Sequence, residues 1–250
     1  TFSLLKSLTD LGHKPKAYVD VRDQKSIEKE TVDLLEKFNI PFYPKSEIEG
    51  CEGQKEVKKV SIRTKKNQIS KIKTSMLCVS GGFNPDIHLF TQSKGLLKWD
   101  KEHLTFKPDR IFQKTITLGS VSGNFSYEKL LVEVEKKLSE FEGLNELEVK
   151  FELNGPEKFQ IKELWETKHE KKSLWSKSFI DLQNDVTTKD LRQAVNEGFN
   201  RIEHLKRFTT NSMGTDQGKI SSINALGIVS KILKKDISEV GTTTYRPPYS

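Results

Sequence analysis

An α/β fold followed by a small helical domain is what the order of periodicities along this chain predicts. Three observations carry that expectation. Residues 2–44 alternate amphipathic helix with short apolar strand. A strand-like run then leads into Gly81-Gly82 and a turn placed ahead of a helix. Residues 179–222 hold a helix start, a Gly break, a second helix and a Gly-bearing polar loop.

The elements follow in order. Phe2, Leu4, Leu5, Leu8 and Leu11 form one helical face, which Gly12 ends. Lys16-Ala17-Tyr18-Val19-Asp20-Val21-Arg22 reads as a short buried strand. Helix, Gly and a strand ending in an acid make the second half of a βαβ unit. In nucleotide-binding folds such an acid binds a ribose hydroxyl, so Asp20 is a candidate beside the plainer reading of a strand-end Asp. Ile27–Phe38 is a second amphipathic helix, followed by Ile40-Pro41-Phe42-Tyr43-Pro44. Glu47–Gly53, Val57–Arg63 and Gln68–Lys73 read as a meander with Lys65-Lys66-Asn67 at its tip.

Thr74–Ser80 reads as a buried strand running into Gly81-Gly82. Two glycines let a backbone come close to a ligand, and Asn84-Pro85 fixes a turn before a helix whose N-terminus can face a pyrophosphate. The alternative is a tight turn with no ligand. His88 in that helix reads as a packed residue, with a catalytic role as the alternative. Leu97–Asp100 is extended, Ile116–Gly123 a strand and turn, and Tyr127–Phe141 a helix. Leu144–Lys172 is charged and reads as a linker anchored by Trp165 and Trp175.

Thr187 is a natural N-cap hydroxyl, with Asp190 three residues on as a near capping box. Leu191, Ala194 and Val195, then Phe199, Ile202 and Leu205 past Gly198, give two short helices with one buried face each. Lys206–Thr210 and Met213–Lys219 follow. Free backbone N–H groups, hydroxyls and cations in such a loop suit a phosphate-bearing cofactor, unless it is only a solvated basic turn.

Composition excludes several classes. Apolar residues are 34% and charged residues 31% of the 250, and no apolar run nears the ~18 that a membrane span needs. Nothing at the start resembles a signal peptide, and Cys51 and Cys78 have neither disulfide-framework nor metal-ligand spacing, so a reduced cytoplasmic protein is expected. The net charge of +7 comes from scattered Lys without aromatic platforms, which argues against nucleic-acid binding. His13, His88, His103, His169 and His204 pair with no nucleophile in a motif, and there is no P-loop or zinc spacing. No catalytic side chain and no metal ligand is expected. A cofactor carrying the reaction fits that pattern.

Collinear strings carry a resemblance: Val79–Ser93 (VSGGFNPDIHLFTQS), Ile180–Thr187 (IDLQNDVT), Glu203–Thr210 (EHLKRFTT), Met213–Lys219 (MGTDQGK) and Gly241–Tyr249 (GTTTYRPPY). Together they resemble the alpha subunit of heterotetrameric sarcosine oxidase. The resemblance implies oxidative demethylation of sarcosine to glycine, with hydrogen peroxide formed and a one-carbon unit passed to tetrahydrofolate. It implies NAD in the alpha subunit, FMN shared with a beta subunit, FAD within that beta subunit, and gamma and delta subunits as further partners. The order of elements in the first region resembles the two-dinucleotide-domain flavoprotein (pyridine nucleotide–disulfide reductase) architecture. NAD is then expected at Gly81, Gly82, Asn84, Leu89 and Thr91, and the flavin wall at Arg207, Thr209, Thr210, Met213, Gly214, Gln217 and Lys219.

The expected domains are a nucleotide-binding region at 1–142, a linker at 143–177, a helical domain at 178–240, and the start of a folate domain at 241–250. The chain lacks an initiator Met and reads as an internal piece of a longer protein. Within that helical domain, Phe179–Ser222 also resembles the [2Fe–2S] domain of bacterioferritin-associated ferredoxin and related amine-oxidising dehydrogenases. Its four cysteine positions fall here on Asp181, Gln183, Asp216 and Ser221, which cannot replace thiolates. Two alternatives stay open: a related amine or imino-acid dehydrogenase subunit, and a scaffold without cofactors.

Overall fold

A computed structural model describes residues 2–138, 161–167 and 177–247. The chain divides into two compact units, residues 1–82 with 160–170, and residues 83–159 with 171–250.

The first unit begins with α1 (Phe2–Asp10) and β1 (Tyr18–Asp20). Helix α2 (Lys29–Lys37) then crosses to β2 (Phe42–Pro44), which pairs parallel with β1 in a strand–helix–strand step. Leu5, Tyr18, Leu35 and Ile40 close its core, with Leu34 and Phe42 packed against them. The meander is β3 (Glu47–Gly53), β4 (Val57–Arg63) and β5 (Ile69–Lys73), antiparallel in that order. Val60 and Ile62 of the central strand are buried. Thr167 Oγ1 donates to the Ile48 carbonyl at 3.0 Å and tethers residues 161–167 to β3.

One expectation fails here. Thr74–Ser80 is not a buried strand: β5 ends at Lys73, and Met76 and Val79 stand 69% and 80% exposed. Thr74 Oγ1 donates to the Met76 carbonyl at 3.1 Å, a local turn that competes with strand pairing. Gly81 and Gly82 therefore follow an exposed irregular segment.

The second unit opens with α3 (His88–Gln92) and the hairpin β6 (Leu96–Asp100) and β7 (Thr105–Arg110). Trp99 and Phe106 stack edge-on across it, centroids 5.0 Å apart. Ile116–Gly123 holds no strand. Its last residues form a 3₁₀ turn, Gly119–Ser122, because Gly119 and Gly123 both take left-handed φ, at 63° and 79°. Helix α4 spans Tyr127–Leu138. Phe141, the charged segment from 144 to 160 and Trp175 lie outside the described residues.

The helical part follows: hairpin β8 (Phe179–Asp181) and β9 (Val186–Thr187), then α5 (Thr188–Asn196), α6 (Ile202–Thr209), α7 (Ser221–Leu233) and α8 (Ile237–Val240). Asp190 Oδ2 accepts both the backbone N–H and the hydroxyl of Thr187, at 2.8 and 2.6 Å, which is the expected cap. Gly198 ends α5 at φ 93°, while its own N–H and that of Phe199 reach back to Val195 and Ala194. Leu191 and Ala194 of α5, Leu205 of α6, and Ala225, Leu226 and Val229 of α7 make the core.

Candidate functional site

The loop between α6 and α7 is a hydrogen-bonded knot. Thr210, Ser212, Gln217 and Gly218 all adopt positive φ, and three of them are not glycine. Asp181 pins the loop: its Oδ2 accepts the Ser212 N–H at 2.7 Å, and its Oδ1 accepts those of Gln183 and Asn184. The Ser212 hydroxyl lies 2.9 Å from those of both Ser221 and Ser222, and Asn211 Nδ2 donates to it at the same distance. Gln183 Oε1 accepts the Asp216 N–H at 3.2 Å. Gly214 must be small because a Cβ there would lie 2.1 Å from that same oxygen. Asp181, Gln183, Asp216 and Ser221, the four positions singled out from the sequence, thus belong to one network.

The same loop closes a pocket of about 50 Å³. Its walls come from Asn84–His88 before and within α3, Thr105 and Phe106 of β7, Gly218 and Lys219 of the loop, Ile223 of α7, and Tyr245. Lys219 Nζ stands 3.7 Å from Asp86 Oδ2. His88 Nδ1 is in close contact with Asp86 Oδ1. That imidazole, and then Lys219, hold the Asp86 carboxyl below its ordinary value. Tyr245 meets the His88 ring edge-on at 5.9 Å, and burial pushes its phenol up to about 12. The Tyr245 carbonyl accepts from Thr91 Oγ1 at 2.8 Å and Gln92 Nε2 at 3.1 Å, which fastens 241–247 to α3.

Asn84 and Lys219, expected to serve two different cofactors, face this one pocket. Thr91 lies behind it, its hydroxyl spent on backbone carbonyls, and Leu89 points to solvent, 75% exposed. Gly81 and Gly82 belong to the first unit. Arg207 is exposed and pairs with Glu203 at 3.4 Å, while Thr209 and Thr210 bond to the α6 carbonyls of Leu205 and Thr209. Met213 is half exposed, and Gln217 Nε2 turns back to the Gly214 carbonyl at 2.8 Å. Asp20 is engaged by Arg22, whose guanidinium approaches to 2.9 Å and whose N–H donates at 2.8 Å. Sequence reasoning missed Thr105, Phe106, Ile223 and Tyr245, since nothing local marks them as neighbours.

Among the described residues no group of three or more His, Cys, Asp or Glu could hold a metal ion, and no helix is long and apolar enough to cross a membrane. The pocket takes a few water-sized groups and not a ring system. Its donors suit the phosphate or hydroxyl end of a nucleotide-type cofactor.

The fold is similar to that of a solved chain, L-proline dehydrogenase from P. horikoshii. The likeness has a TM-score of 0.56 at 22% identity and covers 99% of this chain and 51% of that one. Residues 175–250 match the family described as the sarcosine oxidase A3 domain. The sarcosine oxidase alpha subunit of Rhizobium meliloti (strain 1021) is 30% identical over 95% of this chain and 22% of its own length. That of Corynebacterium sp. (strain P-1) is 29% identical over 72% of this chain and 19% of its own length. The chain is similar to sarcosine oxidase alpha subunits and spans about a fifth of the length of these relatives.

Proposed function

We propose that this chain forms the middle part of an alpha subunit in a sarcosine-oxidising flavoenzyme. That enzyme converts sarcosine to glycine with oxygen as acceptor, and transfers the one-carbon unit to tetrahydrofolate. Similarity along 95% of the chain to a sarcosine oxidase alpha subunit is the observation that carries the reading. NAD in this subunit, FMN shared with a beta subunit, FAD within the beta subunit, folate in a domain after residue 250, and gamma and delta partners belong to the same proposal, as does a cytoplasmic location.

The flavin supplies the electron acceptor for the amine. This chain's own residues bind and orient. Asn84, Thr105 and Lys219 around the pocket offer an amide, a hydroxyl and a cation to the polar end of a cofactor. The glycines at 81 and 82 leave their surroundings open to a ligand's approach, with no atom within 4 Å of a Cβ at Gly81.

We further infer that residues 178–240 keep the scaffold of a ferredoxin-like domain while the cluster ligands are replaced. Carboxylate, amide and hydroxyl groups at Asp181, Gln183, Asp216 and Ser221 satisfy backbone and hydroxyl partners where thiolates would bind iron. The domain division into a nucleotide-binding region, a linker and a helical domain goes with this reading.

The test is to co-express the full-length chain with its partner subunits, assay sarcosine-dependent peroxide formation, and extract the cofactors. Peroxide with bound flavin and NAD, and no acid-labile sulfide, is the expected result. Activity on proline in place of sarcosine would shift the reading to a related dehydrogenase subunit. Absence of both cofactors would leave a scaffold.

A further inference from the structure

His88 has no part in the function proposed above. Its side chain is 7% exposed and forms part of the pocket wall. Nδ1 is engaged by the Asp86 carboxylate, which only accepts, so in the neutral ring the N–H sits on Nδ1 and Nε2 carries a lone pair. That Nε2 is buried and has no hydrogen-bond partner in the protein. A buried polar atom without a partner is costly, so this one calls for a group that completes it. Asn84 and Thr105 are already joined, Thr105 Oγ1 donating to Asn84 Oδ1 at 3.2 Å, so their geometry is set. Lys219 adds positive charge across the pocket.

We propose that His88 is a ligand-binding residue of this pocket, accepting a hydrogen bond at Nε2 from a sugar or ribityl hydroxyl while Lys219 faces the adjoining phosphate. The ligand class is a hydroxylated phosphate ester, the end shared by flavin and nicotinamide nucleotides. Asp86 is a positioning residue that fixes the ring's tautomer. The proposal rests on the reading that a nucleotide cofactor approaches this pocket, and adds the residue that reads its hydroxyl.

The test uses the full-length complex, stripped of cofactor and titrated separately with FMN and NAD. His88→Phe keeps the ring's bulk and removes Nε2; His88→Gln keeps an acceptor near that position. Affinity for one of the two ligands is expected to fall about tenfold in His88→Phe, the scale of one lost hydrogen bond, and to be partly restored in His88→Gln. The other ligand's affinity stays unchanged, which tells the sources apart. His204→Gln, on the exposed side of α6, serves as the control and leaves both unchanged. If the folded His88→Phe complex binds both ligands as the parent does, His88 is a packing residue and the proposal falls. If the parent binds neither ligand, the underlying cofactor reading falls instead.

Discussion

Asp181 accepts the backbone N–H of Ser212 at 2.7 Å, joining the end of β8 to a loop 31 residues downstream. The same carboxylate accepts the N–H groups of Gln183 and Asn184, so three backbone donors depend on one buried side chain. Asp181→Ala is expected to cost about 1–3 kcal/mol, chiefly because the buried Ser212 N–H loses its acceptor. Asp181→Asn keeps one acceptor oxygen and is expected to cost less. Denaturant unfolding of both variants measures the difference; equal, small losses would show that the loop holds itself.

The Thr187–Asp190 cap makes a smaller claim. Thr187→Ala removes the hydroxyl while the Asp190 bond to the residue 187 N–H survives. A loss of about 1 kcal/mol is expected. It should be visible as a lower unfolding midpoint with an unchanged denaturant slope.

Glycine substitutions separate ligand approach from backbone strain. Gly81→Ala meets no atom within 4 Å, so stability should change by no more than about 0.5 kcal/mol, and any fall in NAD content then belongs to the ligand. Unchanged NAD content would remove Gly81 from the contact set. Gly82 sits at φ +103°, so a branched residue there is strained with or without ligand. Gly218→Ala is the opposite case from Gly81: φ is +78° and a Cβ would lie 2.4 Å from that of Ser212. It should cost about 1–2 kcal/mol or more and disturb Lys219 with it.

Acid should weaken the second unit through Asp236. Lys101 at 2.7 Å and the Ser238 hydroxyl and N–H hold this carboxyl down to about 2. A depressed folded value means that its contribution is present above the unfolded value, about 3.9, and lost as pH falls toward 2. Asp236→Asn should flatten the stability profile over that window and leave it unchanged near pH 7 apart from a constant offset. An identical slope in parent and variant would assign the acid sensitivity elsewhere.

Elements with local punctuation were readable from the residues. Thr187, Gly198 and the two apolar triplets around it predict α5 and α6, and β3–β5 follow from alternation and the Lys65-Lys66-Asn67 tip. Helix α7 escaped because it is buried nearly all round, so its apolar residues leave no one-sided stripe to read. β7 escaped because Pro108 sits inside it, which reads as a strand breaker. Thr74–Ser80 misled for the opposite reason: an apolar composition predicts burial only if a sheet exists to receive it. Of the candidate site, Asn84 and Lys219 were legible from glycine and charge patterns. Thr105 and Tyr245 were not, because 140 residues of chain return before Tyr245 meets them.

The knot at 210–218 has a consequence in time as well as in shape. Surface loops normally exchange their amide hydrogens within the time of local fluctuation. Here the Ser212 amide is held by a buried carboxylate, and left-handed residues on either side leave the backbone few other conformations to visit. Releasing that hydrogen requires the loop to leave the end of β8, and the Ser212 hydroxyl ties the same residue to Ser221 and Ser222 at the start of α7. In deuterium exchange this loop should keep pace with the middle of α7, and behave as part of the slowest cooperative segment of the chain.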